Sequence, residues 1–273
     1  MEKHTKRRYN KIKSFLNEKN FNGFTKKHLF IMTFIKKGWG QDVAALSNMA
    51  ESLVNISIKH PEEYKEVNAL IYNTVKRAIH PKVNPYNKEI NKVERFGKFG
   101  YYLEHLNIIL GCYKKITNKE TFKELNKKIS YHILNLSMAY RNFHADLLPH
   151  VNMKWSADQA AIIYSLWLYD QNYKKSISND LKNKWIYYME NYATDKHTGL
   201  YKTEVLGTRK YSKQPRGCAI AYLLNYMGKF NPELAEKKWL LYKKHMKKNI
   251  FGLTDLENTL NLTKVNGHLT QGQ

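Results

Sequence analysis

Acidic side chains are scarce in this chain: 23 Asp and Glu stand against 46 Lys and Arg, a formal charge of +23. A surface so short of carboxylates points to polyanions, whether an anionic substrate, a negatively charged membrane face or nucleic acid. Cysteine is nearly absent, with only Cys112 and Cys218, which excludes a disulfide-stapled scaffold and a cysteine-rich metal site. Both fall in apolar helical stretches, so buried free thiols are expected. No Ser-, Gly- or Pro-rich linker divides the sequence, and there are only six prolines. A single domain over 25–273 is therefore expected, preceded by a basic arm or helix over 1–24. Long apolar runs are missing too. Leu29–Ile35 is far shorter than the roughly 20 residues a bilayer requires, and no apolar stretch directly follows the basic start Met1–Arg8, as a signal peptide would need. These features predict a cytoplasmic protein or one peripheral to a membrane. Although the chain is basic, it carries no helix-turn-helix or zinc-finger spacing, which disfavours nucleic acid as its partner.

What is present is a recurring phrase, a small-residue turn beside an aromatic or proline that opens an apolar helix. It occurs as Gly38-Trp39-Gly40-Gln41-Asp42, Phe96–Tyr102, Trp155-Ser156-Ala157-Asp158-Gln159 and Gln214-Pro215-Arg216-Gly217. Measured at Gly40, Gly100, Ala157 and Gly217, the steps are 60, 57 and 60 residues, enough for two helices and two loops. Apolar spacing predicts helices over 25–37, 41–59, 61–80, 101–115, 119–140, 158–173, 179–192, 217–229 and 232–248. Those opening near 41, 101, 158 and 217 are apolar nearly all round, as buried elements are. Those near 62, 119, 179 and 232 carry Lys and Glu on one face, as an outer layer would. Buried and exposed helices in alternation predict an all-α fold, an α/α toroid or solenoid of about four inner and four to five outer helices. The loops preceding the inner helices then share one rim, the natural place for a site.

Three segments carry a family resemblance: Gly100-Tyr101-Tyr102-Leu103-Glu104-His105-Leu106-Asn107, Trp155-Ser156-Ala157-Asp158-Gln159-Ala160-Ala161, and Pro215-Arg216-Gly217-Cys218 with Trp239-Leu240-Leu241-Tyr242-Lys243. Together they resemble the (α/α)6-toroid, six-hairpin glycosidase-like superfamily, and more narrowly a bacterial branch near linalool dehydratase/isomerase-like proteins. The resemblance spans roughly residues 38–255. It implies a bowl-shaped site at the rim and an activity among glycoside hydrolases, polysaccharide lyases, epimerases and a terpene dehydratase. This chain departs from six hairpins in showing four inner helices. One more step from Gly217 falls just past Gln273, so an open ring or a truncated, inactive paralogue is also expected as a reading.

The residues themselves suggest acid–base work. Asp158 in the first turn of a buried helix is either a cap or a rim carboxylate, with Trp155 as a stacking platform for a sugar ring. Asp42 beside Trp39 repeats that arrangement, and two carboxylates facing one cavity are what glycosidic cleavage uses. Glu104 and His105 sit near the start of the second inner helix, with Tyr101 one turn before His105 on the same face. A Tyr/His pair can abstract a proton beside a carboxylate, as uronic-acid lyases and epimerases require. Arg216 opposes the dipole of the helix it precedes, so it calls for a carboxylate partner, Asp158 or Glu204, or an anionic ligand. The expected catalytic set is Asp158, Asp42, Glu104, His105 and Tyr101. Trp39, Trp155, Tyr102, Gln159, Gln214 and Arg216 are expected to bind substrate. His144, Asp146 and His150 match no defined metal-ligand spacing, and neither a metal nor a cofactor is implied. The leading expectation is a lyase, hydrolase or epimerase acting on an anionic glycan. The alternative is a non-catalytic basic scaffold docking on an anionic membrane or polymer.

Overall fold

A computed structural model of the chain describes residues 1–18, 41–81, 83–84, 90, 92, 99–148, 152–207, 214–250 and 253–256. The helix expected over 25–37 and the turn holding Trp39 lie outside the described residues. Within them the fold is all-α. In chain order the helices are α1 (Lys3–Asn17), α2 (Gln41–Lys59), α3 (Tyr64–Ala78, preceded by a single 3-10 turn Pro61–Glu63), α4 (Gly100–Thr117) and α5 (Lys123–Met138). They continue with α6 (Ser156–Tyr173), α7 (Ser178–Tyr192), α8 (Gly217–Phe230) and α9 (Pro232–Met246). Two short ribbons complete the architecture: β1 (Lys154–Trp155) with β2 (Glu204–Leu206), and β3 (Lys247–Ile250) with β4 (Leu253–Leu256), both antiparallel.

Burial separates two layers. In α4 and in α6, 14 of 18 residues are buried, whereas in α7 only Ser178, Leu181, Trp185 and Met189 are. An all-round apolar helix is stable only when covered on every side. Accordingly α2, α4, α6 and α8 pack against one another in series, while α3, α5, α7 and α9 lie on their flanks. The contact between α4 and α6 is very close at Gly111, where a Cβ would come within 2.6 Å of the Leu168 side chain. A buried amide joins three helices: Asn107 of α4 donates to Ser130 of α5 and Ser165 of α6, both at 3.1 Å, and accepts from Asn126 at 2.6 Å. Asp170 near the end of α6 caps α7 by accepting from the N–H groups of Ile177 and Ser178.

The N-terminal segment is a helix docked on α3. Tyr9 and Leu16 are buried, Tyr9 donates to Glu66 at 3.0 Å, Lys13 pairs with Glu66 at 2.7 Å, and Arg77 donates to the carbonyl of Leu16.

Four expectations need correction. The fifth helix begins at Lys123 rather than 119, because Asn118 adopts a left-handed conformation (φ 54°) that ends α4. Glu120 then bridges Lys114 and Lys123 across the intervening turn. The irregular stretch after 201 contains β2. The last helix stops at Met246, where the chain turns into β3. Finally, Cys112 is a buried free thiol as expected, but α8 turns Cys218 to the surface. Among the described residues, no helix is long and apolar enough to cross a membrane.

Candidate functional site

The starts of the inner helices are brought together by backbone ties. The N–H of Ser156, first residue of α6, donates to the carbonyl of Thr203 at 3.0 Å. The N–H of Arg216, which precedes α8, donates to the Thr203 hydroxyl at 2.9 Å. On the other side of α6, the N–H groups of Gly100 and Tyr101 donate to the carbonyls of Asp146 and Leu147. Three helix N-termini, those of α4, α6 and α8, therefore stand side by side at one end of the inner layer.

Just inside that end, two carboxyl groups meet. Asp158 of α6 and Glu104 of α4 are 3% and 0% exposed, and their side chains are hydrogen-bonded to each other. Two ionised carboxylates have no proton to donate, and in that form both Glu104 oxygens lack a partner. The bond therefore requires a proton held between them. Burial is the main cause, pushing Asp158 up to about 7. Burial and the adjacent Asp158 charge raise Glu104 well above the usual carboxylate range. The backbone N–H of Asp158 donates to its own carboxyl and opposes that rise.

His105, fully buried, is the next neighbour. Burial lowers it to about 3, so it is a neutral imidazole, and its Nε2 approach to Glu104 Oε1 at 3.5 Å is not an ion pair. Tyr222 of α8 reaches the same Nε2 with its hydroxyl at 3.2 Å, and Tyr226 donates to Tyr222 at 3.0 Å. The ring of Tyr101 stands edge-on to His105, with centroids 4.9 Å apart. Burial and the neighbouring carboxylates raise the Tyr101 phenol, and burial with Tyr226 raises that of Tyr222. Among the described residues, His105 Nδ1 has no hydrogen-bond partner.

Two further polar atoms at this end are orphaned. Trp155 and Arg216 occupy the N-cap positions of α6 and α8, and neither provides a side-chain cap. The Trp155 Nε1 and Arg216 Nε are buried without a partner, and Arg216 forms no ion pair among the described residues. Neither Asp158 nor Glu204 supplies the carboxylate that its position calls for.

The structure thus brings Asp158, Glu104, His105 and Tyr101 together, with Trp155 and Arg216 at the adjoining helix starts. Three other expected residues are engaged elsewhere. Tyr102 points to the outer layer and donates to the Ala78 carbonyl at 3.0 Å. Gln159 bonds Ser137 and the N–H of Ala145, holding the loop after α5. Gln214 is exposed and accepts the Thr203 N–H through its carbonyl. Asp42 is buried in the first turn of α2, while the carboxyl group that bonds Asp158 is Glu104. Tyr222 was not legible as a site residue, since an aromatic on an apolar helix reads as core.

His144 and Asp146 belong to a separate, closed cluster. Lys154 donates to Asp146 Oδ1 at 2.6 Å and to the His144 carbonyl at 3.0 Å, with its ammonium 3.4 Å from the centre of the Tyr140 ring. Tyr140 donates to the other Asp146 oxygen at 2.6 Å. His144 is held between the Asn142 carbonyl and the indole N–H of Trp185. His150 lies outside the described residues, and among those described no group of three His, Cys, Asp or Glu side chains could hold a metal ion. In comparison with known proteins, no family model matches the chain and no curated protein matches it.

Proposed function

We propose that this chain is a proton-transfer enzyme of the α/α-toroid type, a lyase or epimerase acting on an anionic glycan at the N-terminal end of its inner helices. The hydrogen-bonded Glu104–Asp158 pair carries the reading. Glycoside hydrolases hold their two carboxyl groups about 5–5.5 Å apart for retention, or about 6.5–9.5 Å for inversion, so that sugar or water fits between them. Carboxyl groups in direct hydrogen-bond contact leave no such gap, which argues against hydrolysis by this pair and for a unit that stores and moves one proton. Asp158, poised near neutrality, is suited to take the proton from the carbon α to a uronate carboxylate. The electron pair left behind forms the C=C bond, and the β-oxygen departs with the proton held on Glu104. Returning a proton to the other face of the same carbon would give epimerisation. Arg216, without a carboxylate of its own, is suited to neutralise the substrate carboxylate and so acidify that carbon, and Trp155 is suited to support the ring.

The test is incubation with oligomers of galacturonic, glucuronic and mannuronic acid, and with neutral oligosaccharides. Binding is followed by thermal shift and elimination by the ultraviolet absorbance of the unsaturated uronate. Binding restricted to acidic oligomers and lost in Arg216→Ala, with turnover lost in Asp158→Asn, is the expected result. An acidic-glycan panel that neither binds nor reacts overturns the reading.

A further inference from the structure

The helix α1 has two faces of opposite character. From Lys3 to Asn17 it contains six Lys or Arg residues and no Asp or Glu. Tyr9, Ile12, Lys13 and Leu16 turn inward, and the contacts of Tyr9, Lys13 and Leu16 with α3 fix the helix to the body of the protein. His4, Arg7, Arg8 and Lys11 share the spacing i, i+3, i+4, i+7 and so form one stripe on the opposite face. All four are exposed, and among the described residues they line a shallow depression of about 300 Å³. Among the described residues no carboxylate lies within ion-pair distance of any of them.

We propose that this face is a docking site for anionic phospholipid headgroups. The stripe runs about 10 Å along the helix, and the Arg7–Arg8 forks suit phosphate oxygens. The outward face carries no apolar side chain that could insert among acyl chains, so contact is with headgroups only and is purely electrostatic. It also carries no Phe, Tyr or Trp ring on which bases could stack, which disfavours single-stranded nucleic acid. Firm attachment to α3 presents Arg7, Arg8 and Lys11 as a preformed row, so little ordering accompanies docking. This site is independent of the proposed enzymatic activity.

The test uses the full chain with vesicles of phosphatidylcholine alone or mixed with phosphatidylglycerol, measured by co-sedimentation at low and high salt. Binding is expected only to the mixed vesicles and is weakened by salt. R7Q/R8Q/K11Q should bind about a hundredfold more weakly, from about fivefold per charge removed, whereas R7K/R8K/K11R should bind like the parent. K127Q/K128Q/K237Q, which removes three exposed charges from α5 and α9, should leave binding intact. Equal losses in the two neutralised variants would assign binding to the diffuse charge and overturn the proposal. So would displacement of the vesicles by a short DNA or RNA duplex at equal phosphate concentration. Because the substituted side chains point outward, thermal unfolding of R7Q/R8Q/K11Q should match the parent, and a large shift would place those residues in the fold instead.

Discussion

Two buried ionisable clusters flank the start of α6, and they are built on opposite principles. Around Lys154 every charge has an answer. The ammonium meets Asp146, a carbonyl and the face of Tyr140; the second Asp146 oxygen meets the Tyr140 hydroxyl; both His144 ring nitrogens are engaged. The proton of neutral His144 sits on Nδ1, because the Asn142 carbonyl can only accept and the Trp185 indole can only donate. Around Glu104 the answers are missing. Both Glu104 carboxyl oxygens and the Nδ1 of His105 lack a partner among the described residues. A satisfied buried network fixes a structure, whereas an unsatisfied one carries a standing cost that structure alone does not explain. That difference, rather than burial or residue type, separates scaffold from candidate site here.

Breaking the closed cluster should cost most. Lys154→Met leaves Asp146 charged and buried, and should lower unfolding free energy by about 3–5 kcal/mol in urea titrations. The open cluster should behave in the opposite sense. Asp158 titrates near 3.8 when unfolded and near 7 when folded, so the folded state holds the extra proton in that window. Its contribution is complete below about pH 4 and is lost as pH rises towards 7. Asp158→Asn has no such loss, so its stability relative to the parent should improve over that range by on the order of 3 kcal/mol. His105 and His144, both lowered to about 3, favour the folded state in the other direction but are common to both chains and cancel. A flat difference between the two titrations would show that no proton is shared.

Gly100→Ala probes the seam between the clusters. Its Cβ would stand 2.6 Å from the Asp146 carbonyl oxygen, which is backbone and cannot rotate away, so about 2 kcal/mol of stability should be lost by calorimetry. The smallest effect is expected for Tyr222→Phe. It removes the hydroxyl's contacts with both His105 and Tyr226, together worth about 1–2 kcal/mol, and should shift the His105 ring signals in NMR while leaving those of His144 in place.

Much of the layering was legible in the sequence. All-round apolar stretches opened by Gly100, Ser156 and Gly217 could only be buried helices, and α4, α6 and α8 begin at or within two residues of the expected starts. The short ribbons were not legible, since two or three residues of strand carry no periodicity. Asn118 as a left-handed stop hid inside an apparent cap for the next helix. At the site, Asp158 and Arg216 stood out, as did Glu104 and His105 with Tyr101 as one group, because each is a polar residue at an apolar helix start, but Glu104 was not matched to Asp158. Their pairing did not, because it depends on the rotation of α4 against α6, set by contacts such as Gly111 with Leu168. Tyr222 was hidden for the same reason, as its role comes from facing His105 across more than a hundred residues of chain.

Thr203 has a consequence for how this protein can vary. One residue holds the first N–H of α6 with its carbonyl and the N–H before α8 with its hydroxyl. The offset between those two helix starts is thereby set upstream of the segment joining β2 to Gln214. Insertions or deletions in that segment would leave the spacing of Asp158 and Arg216 in place. A lineage could thus vary the length of that segment with the offset between the starts of α6 and α8 unchanged.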